Sequence, residues 1–196
     1  PYSPVRFKEL LVSPNEMKQK FIRLINEEIK NKQAGKPAYI LIKINHITDP
    51  VMVKKLYEAS SHGVRIDLLV RGNCSLITGV PGVSDAIRIN GIIDRYLEHS
   101  RIFIFANGGD EKMFIGSADW MPRNLDNRVE VIAPVYDPEI KADLKRVVEY
   151  GLKDTLQGRV VDGTGENRPW ISEDKTAFRS QEELYKYYLN ENRIKD

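Results

Sequence analysis

The residue types best suited to chemistry lie around a predicted strand that begins near residue 101. His99 and Arg101 are two positions apart, so on a strand both side chains point to one face. Ser117 and Asp119 have the same spacing at the end of the next predicted strand. These four residues offer a proton carrier, a bidentate anion binder, a hydroxyl and a carboxylate that orients the imidazole. We predict that all four share one face, which a slip of one residue in the hairpin register would prevent.

Arg71 is a further candidate, because it ends a predicted strand next to Gly72, where the backbone can approach a ligand closely. We predict that its guanidinium reaches the same cleft as His99, since both lie beyond strand ends at one edge of a sheet. Two arginines and a histidine so placed are typical of a phosphate clamp. The structural alternative is a half-exposed polar face of a sheet.

The remaining histidines and the single cysteine favour structural roles. His62 precedes a glycine that ends a predicted helix, where a cation is favourable, so it is interpreted as a cap. His46 is interpreted as a surface-loop residue, with ligand contact as the alternative, and Cys74 as a buried small residue. The sequence contains no Walker-type glycine-rich loop, and the spacing of its histidines and cysteine does not indicate a zinc site.

The first 70 residues predict the order helix, strand, helix, strand. Ser13-Pro14-Asn15-Glu16 resembles a capping box that opens the first helix, and residues 39–44 form an apolar, β-branched run typical of a buried strand. Asp49-Pro50 opens the second helix, and residues 64–70 form the second strand. This order predicts a parallel βαβ unit, whose ligands gather beyond the carboxyl ends of the strands.

The rest of the chain predicts a mixed α/β arrangement. Residues 101–105 and 112–116 form a predicted hairpin, and residues 128–133 form a further strand. Asp137-Pro138 opens another helix, residues 163–170 suggest an irregular excursion, and a last helix is predicted over about residues 181–193.

Composition limits the classes of function. The chain has 196 residues, enough for one domain, and its 30 basic and 28 acidic residues leave a net charge of only +2. A polybasic nucleic-acid binder is therefore not indicated, and any anion site must come from local placement of arginines. A single cysteine favours a reducing compartment, and no apolar run reaches the roughly 20 residues that span a bilayer.

The first residues, Pro1-Tyr2-Ser3-Pro4, show neither an initiator methionine nor a signal-peptide pattern. We expect residues 1–12 to be a linker from a missing upstream domain and residues 13–196 to form one domain, of which the last 45 or so follow no pattern that we can place. The alternative is a natural start after processing.

Several segments resemble the C-terminal domain of bacterial polyphosphate kinase, the family that makes inorganic polyphosphate from ATP. The resemblance runs from about Leu10 to Tyr150, and more loosely to Arg168. The matching segments, in order, are Leu69-Val70-Arg71-Gly72, Gly79-Val80-Pro81-Gly82, Asp94-Arg95-Tyr96-Leu97-Glu98-His99-Ser100-Arg101, Asn107-Gly108-Gly109, Gly116-Ser117-Ala118-Asp119-Trp120-Met121, Arg123-Asn124-Leu125-Asp126 and Arg128-Val129-Glu130-Val131.

The resemblance implies a phospholipase-D-like α/β fold, a mixed sheet with helices packed on it. In that superfamily a His-x-Lys element and a later Gly-Ser-x-Asn occur twice and face each other in one site. Here the elements are His99-Ser100-Arg101 and Gly116-Ser117-Ala118-Asp119, so arginine replaces lysine and aspartate replaces asparagine. The superfamily also has an aspartate shortly after the lysine of its His-x-Lys element, and here Ala106 occupies that position. These departures weigh against phosphodiesterase activity and are consistent with phosphate recognition.

The resemblance also implies residue roles. Arg71 would contact a nucleotide phosphate, and His99 would bind nucleotide and serve as the catalytic general acid or proton carrier. Arg101, Ser117 and Asp119 would be further substrate contacts. The phosphate-accepting histidine would lie in the upstream domain, and Mg²⁺ would arrive with ATP, its ligands lying outside this chain.

The expected partners are ATP or ADP, inorganic polyphosphate, the upstream domains and further copies of the full-length protein, but no nucleic acid. The expected location is the cytoplasm, with peripheral membrane association left open. Alone, the chain is expected to be inactive.

Two alternatives remain at this point. A binding module for a polyanion predicts a continuous basic groove. A scaffold for oligomer contacts predicts a large apolar patch on a helix face.

Overall fold

A computed structural model describes residues 7–172 and 176–190 of the chain. The described strands are β1 Leu11–Ser13, β2 Tyr39–Ile44, β3 Arg65–Val70, β4 Ile87–Ile92, β5 Ile102–Phe105, β6 Lys112–Gly116, β7 Glu130–Val135 and β8 Gly158–Val160. The described helices are α1 Met17–Gln33, α2 Pro50–Ser61, α3 Pro138–Lys153 and α4 Ser180–Asn190, with a short 3-10 turn at Asn107–Gly109 and a π-helical turn at Arg123–Asn127. The strands form one mixed sheet in the order β1-β7-β6-β5-β2-β3-β4-β8.

The predicted βαβ unit is confirmed. β2 and β3 run parallel, with Tyr39 opposite Arg65 and Ile44 opposite Val70, and α2 connects them. The side chain of Asp49 caps α2 by accepting hydrogen bonds from the backbone N–H groups of Val51 and Met52. Both strands therefore end at the same edge of the sheet, where the polar residues that follow them meet.

The predicted cap at His62 is also confirmed. His62 ends α2, and its ring Nδ1 lies 2.8 Å from the carbonyl oxygen of Glu58. This contact satisfies one of the carbonyl groups left open at the end of a helix.

The sheet is buried on both faces. One core packs α1 and α2 against the sheet, and its aromatic centre consists of Phe21, Phe103 and Trp120. The rings of Phe103 and Trp120 stack with their centres 5.8 Å apart. A second core lies under α3 on the opposite face. Trp120 is fully buried and immediately follows Asp119, so its burial fixes the loop after β6.

The predicted capping box at the start of α1 is wrong. Ser13 belongs to β1, where its hydroxyl donates to the carbonyl of Arg128 and accepts from the backbone N–H of Glu130. The helix begins at Met17, and Glu16 makes no side-chain cap. The serine hydroxyl is used across the sheet instead of at the helix.

The edge strand β1 also shortens the expected linker. Leu11 and Val12 are buried in β1, which pairs antiparallel with β7. The expected linker therefore ends before Leu11 and not at residue 12. Residues 1–6 lie outside the described part of the chain. The predicted hairpin of β5 and β6 is confirmed, and the last helix is found at Ser180–Asn190, its predicted end at 193 lying outside the described residues.

None of the helices within the described ranges is long and apolar enough to cross a membrane.

Candidate functional site

The candidate residues lie along one edge of the sheet. Asn45 directly follows β2 and Arg71 directly follows β3, at the carboxyl ends of these parallel strands. Because β5 runs antiparallel to β2, its first residues lie at the same edge, and Arg101 directly precedes it. Arg71 and the residues that lead into β5 thus lie at one edge of the sheet, as predicted, whereas a cleft shared by Arg71 and His99 stays a prediction.

A continuous network of hydrogen bonds joins these residues. Arg71 donates from Nε and Nη2 to Oδ1 of Asn45, over 3.2 and 3.0 Å. Asn45 donates from its backbone N–H and from Nδ2 to Oδ1 of Asp119, over 3.0 and 3.2 Å. Asp119 in turn accepts two hydrogen bonds from Arg101, each 3.2 Å long. The network thus runs from Arg71 through a buried amide and a buried carboxylate to Arg101.

Asp119 is the electrostatic centre of the network. Burial by itself would raise the pKa of this carboxyl, but the hydrogen bonds from Arg101 and Asn45 outweigh it and hold the pKa below its ordinary value of 3.8. The side chain is only 7% exposed, and that of Arg101 only 12%. Their fork-to-fork geometry fixes the plane of the guanidinium.

His99 lies at the open end of the network and is exposed. Nη1 of Arg101 is 3.2 Å from Nδ1 of the imidazole and 3.1 Å from the carbonyl oxygen of His99. Nη2 of the same guanidinium is 3.4 Å from Nε2. Arginine only donates and a neutral imidazole has one ring nitrogen without a proton, so at most one of these two ring contacts is a hydrogen bond from the guanidinium. The pair therefore places an exposed imidazole against a fixed positive charge.

The prediction that Ser117 shares this face is wrong. The hairpin register places Ile102 opposite Ile115, so Arg101 stands opposite Gly116 and not opposite Ser117. The hydroxyl of Ser117 donates to the carboxylate of Glu130 and accepts from the backbone N–H of Val131, 3.3 Å away. A direct contact of Ser117 with substrate stays a prediction to which this geometry gives no support.

Asp119 joins Arg101 despite that register because the strand ends at Gly116. Beyond it, Ala118 and Trp120 are buried in the core, and the carbonyl of Trp120 accepts the backbone N–H groups of Thr48 and Asp49. The loop that follows β6, rather than strand alternation, turns Asp119 toward Arg101.

Asn45 is the residue whose role the sequence does not reveal. It is 2% exposed and bridges Arg71 to Asp119. Its position directly after a buried parallel strand is the only signal in the sequence, because its partners are 26 and 74 residues away along the chain.

The C-terminal helix holds the loop that leads into His99. Arg179, just before α4, donates to both carboxylate oxygens of Asp94 over 2.9 and 2.6 Å. The side chain of Gln181 accepts from the backbone N–H of Tyr96 and donates to the carbonyl of the same residue. It also donates to Glu98, which is paired with Lys43 of β2. Residues 94–98 are therefore fixed at both ends.

Gly72 serves packing in this structure. A Cβ atom at this position would lie 2.3 Å from Cε1 of His46. Nδ1 of His46 accepts the backbone N–H of Asn73 over 2.9 Å, so the half-buried imidazole braces the loop after β3. Cys74 is also half-buried, and burial raises the pKa of its thiol. These contacts agree with structural roles for His46 and Cys74.

Metal ligands are not concentrated at the site. Within residues 7–172 and 176–190 no group of three or more histidine, cysteine, aspartate or glutamate side chains could hold a metal ion. The carboxylate of the network, Asp119, is already engaged by Arg101 and Asn45.

Comparison with solved structures identifies the class of domain. The chain superimposes on Nuc of Salmonella typhimurium, a phospholipase D family member, with a TM-score of 0.54 at 14% identity, over 79% of this chain and 97% of that one. NucT of Helicobacter pylori gives a TM-score of 0.51 at 16% identity, over 74% and 94%. At such identities the likeness establishes the fold alone: this is a phospholipase-D-like α/β domain.

Sequence comparison identifies the family. The model of "Polyphosphate kinase C-terminal domain 2" matches residues 10–181, and the chain belongs to this family. Polyphosphate kinase of Vibrio vulnificus is 43% identical over 190 residues, which are 97% of this chain and 27% of the relative. The crystal structure of polyphosphate kinase from Porphyromonas gingivalis is 40% identical with a TM-score of 0.92, over 98% of this chain and 30% of that one. The chain thus spans between a quarter and a third of the length of these relatives.

Proposed function

We propose that this domain contributes phosphate-binding arginines and a histidine to the site of an ATP–polyphosphate phosphotransferase, the rest of which lies upstream in the full-length protein. The network from Arg71 to His99 at the carboxyl edge of the sheet carries the proposal. Membership of the polyphosphate kinase family supports the choice of substrates, ATP or ADP and inorganic polyphosphate.

The arginines supply the chemistry that phosphoryl transfer needs. Charge spreads over the oxygens of the transferring phosphoryl group, and donors fixed in advance stabilise it without reorganisation. Asn45 holds one edge of the Arg71 guanidinium, and Asp119 holds one edge of Arg101. The loss of one such donor from a water-poor site costs roughly 3 kcal/mol of barrier.

His99 is proposed to bind nucleotide and to carry a proton during transfer. Its imidazole is exposed and contacts Arg101, so a phosphate held by the arginine would lie within reach of the ring. The nucleophilic histidine is proposed to lie upstream of this chain. Mg²⁺ is proposed to arrive with the nucleotide, since it is usually bound through substrate phosphates. A cytoplasmic location and oligomer formation belong to the same proposal.

The test is the turnover of the full-length protein with ATP and polyphosphate when His99 is changed to alanine. We expect turnover to fall by a factor of roughly 10² to 10⁴, as is typical for a positioned proton carrier. The matched control is His62→Ala, which removes an exposed histidine at the end of α2. Full turnover in His99→Ala would refute the assignment. A wild-type protein that binds polyphosphate without turnover would favour the binding module.

A further inference from the structure

A second arginine lies in the groove beside Arg71. The groove has a volume of about 300 Å³, at the lower end of the range for ligand pockets. Besides Arg71 its lining includes Arg159, two glycines and two side-chain amides. Arg159 belongs to β8, a short edge strand that pairs only with β4 among the described strands.

The sheet register explains why the groove is open between the two arginines. Arg159 stands directly opposite Gly91 of β4. On the other side of Gly91 is β3, since a Cβ atom at position 91 would lie 3.1 Å from the carbonyl oxygen of Val70. Arg71 follows Val70, so the glycine lies between the strand that carries one arginine and the strand end that carries the other. A larger residue at position 91 would occupy this space.

The charge of the groove is one-sided. Its lining residues, all within the described part of the chain, include two guanidinium groups and no carboxylate. Nη1 of Arg159 donates to the carbonyl groups of Gly158 and Leu156, over 2.7 and 3.4 Å, which holds the side chain in place. Among the described residues, Nε and Nη2 of Arg159 and Nη1 of Arg71 have no hydrogen-bond partner. These donors are available to an anion.

We propose that this groove is a second subsite for a phosphate chain, in which Arg159 binds a phosphate near the one held by Arg71. The inference rests on the proposed function, because it takes polyphosphate as the substrate. A linear chain with one negative charge per repeat needs cations at successive positions. Arg159 provides one of them beyond the nucleotide phosphate that Arg71 is proposed to hold, and Gly91 of β4, which lies between the two arginines, has no side chain.

The experiment uses the full-length protein in the direction that forms ATP from ADP and polyphosphate. Arg159→Gln removes the charge but keeps a polar, shorter side chain. We expect the KM for long-chain polyphosphate to rise roughly tenfold or more, the effect of losing one charge-assisted hydrogen bond. The KM for ADP and kcat should stay within about twofold, since Arg159 would contact neither the nucleotide nor the reacting phosphorus. A merely structural role would not confine the change to one KM.

The matched control is Arg65→Gln. Arg65 begins β3, at the opposite edge of the sheet from Arg71, and pairs with Asp67. This variant removes the same charge from the protein, so its KM for polyphosphate should equal that of the wild type. An equal rise in both variants would show a general charge effect and would overturn the subsite.

The outcomes separate the subsite from the proposed function. If the wild-type protein forms no ATP from polyphosphate, the proposed function fails. If it does and Arg159→Gln has an unchanged KM for polyphosphate, the subsite alone is refuted. Should Arg159→Gln fail to fold by its thermal unfolding curve, Arg159→Lys decides. Lysine keeps the charge without the planar fork, so a several-fold rise in that KM supports the subsite and an unchanged one overturns it.

Discussion

Asp119→Ala tests whether the buried carboxylate holds the site together. The side chain accepts four hydrogen bonds, two from Asn45 and two from Arg101. Its removal leaves the guanidinium of Arg101, only 12% exposed, without its counter-charge. Breaking a buried pair by removing one partner costs about 3–5 kcal/mol. For a domain of this size the unfolding midpoint should then fall by roughly 6–20 °C.

Thermal and urea unfolding of the 196-residue chain measure this effect. The matched control is Asp126→Ala, because Asp126 pairs with Lys18 at the surface with 47% of its side chain exposed. Lys18 keeps its other partner, Asp49, 2.8 Å away. The control should cost less than about 1 kcal/mol. An equal loss of unfolding free energy in the two variants would show that the buried Asp119–Arg101 pair stabilises the fold no more than the surface pair does.

The same pair predicts a pH dependence. The pKa of Asp119 in the folded chain is lower than its ordinary value of 3.8, so folding favours its ionised form. The stabilisation is therefore fully present above about pH 3.8 and is lost as the pH falls through the lower, folded pKa. The difference in unfolding free energy between wild type and Asp119→Ala should shrink over this acid range. A difference that stays constant down to the acid limit would contradict this account.

Three further predictions concern other positions. In the full-length protein, Arg71→Lys keeps the charge but loses the two-point contact with Asn45. Steady-state kinetics should therefore show impaired nucleotide binding or turnover. Near-normal values of KM and kcat would show that the planar guanidinium is not needed. Glu28 is fully buried, and its carboxylate accepts hydrogen bonds from the backbone N–H groups of Tyr39 and Asn107. Glu28→Gln points an amide donor at one of these N–H groups, so urea titrations should show an unfolding free energy lower by about 1–3 kcal/mol. An unchanged midpoint would refute this. The 196-residue chain alone should unfold cooperatively yet form no acid-labile phosphohistidine with radiolabelled ATP and Mg²⁺, because the nucleophilic histidine is proposed to lie upstream of this chain. Label that appears on the wild-type chain and disappears in His99→Ala would show that His99 accepts the phosphate instead of carrying a proton.

The sequence predicts those elements whose signals are local. The β-branched run of β2 and the Asp-Pro start of α2 need no distant partner, and both are found as predicted. The sequence does not predict β4, because it reads Ile-Arg-Ile-Asn-Gly-Ile, with polar residues inside a strand that is paired on both sides. Its Asn90 is fully buried and donates to the carbonyl of Gly151 in α3, a contact that only the tertiary fold supplies.

The candidate site, too, could be predicted only where its signals are local. The spacing of His99 and Arg101 predicts that their side chains point the same way, and they are in contact although both precede β5. The parallel strands predict the edge at which Arg71 lies. The bridge through Asn45 could not be predicted, because it depends on a loop that leaves β6 after Gly116. Ser117 lies on the other face for a different reason, because the hairpin register, which no local signal in the sequence fixes, places Arg101 opposite Gly116.

The three arginines of this edge share one arrangement. Asn45 holds Arg71, Asp119 holds Arg101, and two backbone carbonyl groups hold Arg159. Fixing an arginine side chain costs about 2 kcal/mol of rotamer entropy. Part of this entropy is already lost on folding, because some of the guanidinium N–H groups are hydrogen-bonded within the protein. The chain as a whole has a net charge of only +2. The anion binding proposed for this edge would therefore depend on arginines fixed in place by folding and not on a general excess of positive charge.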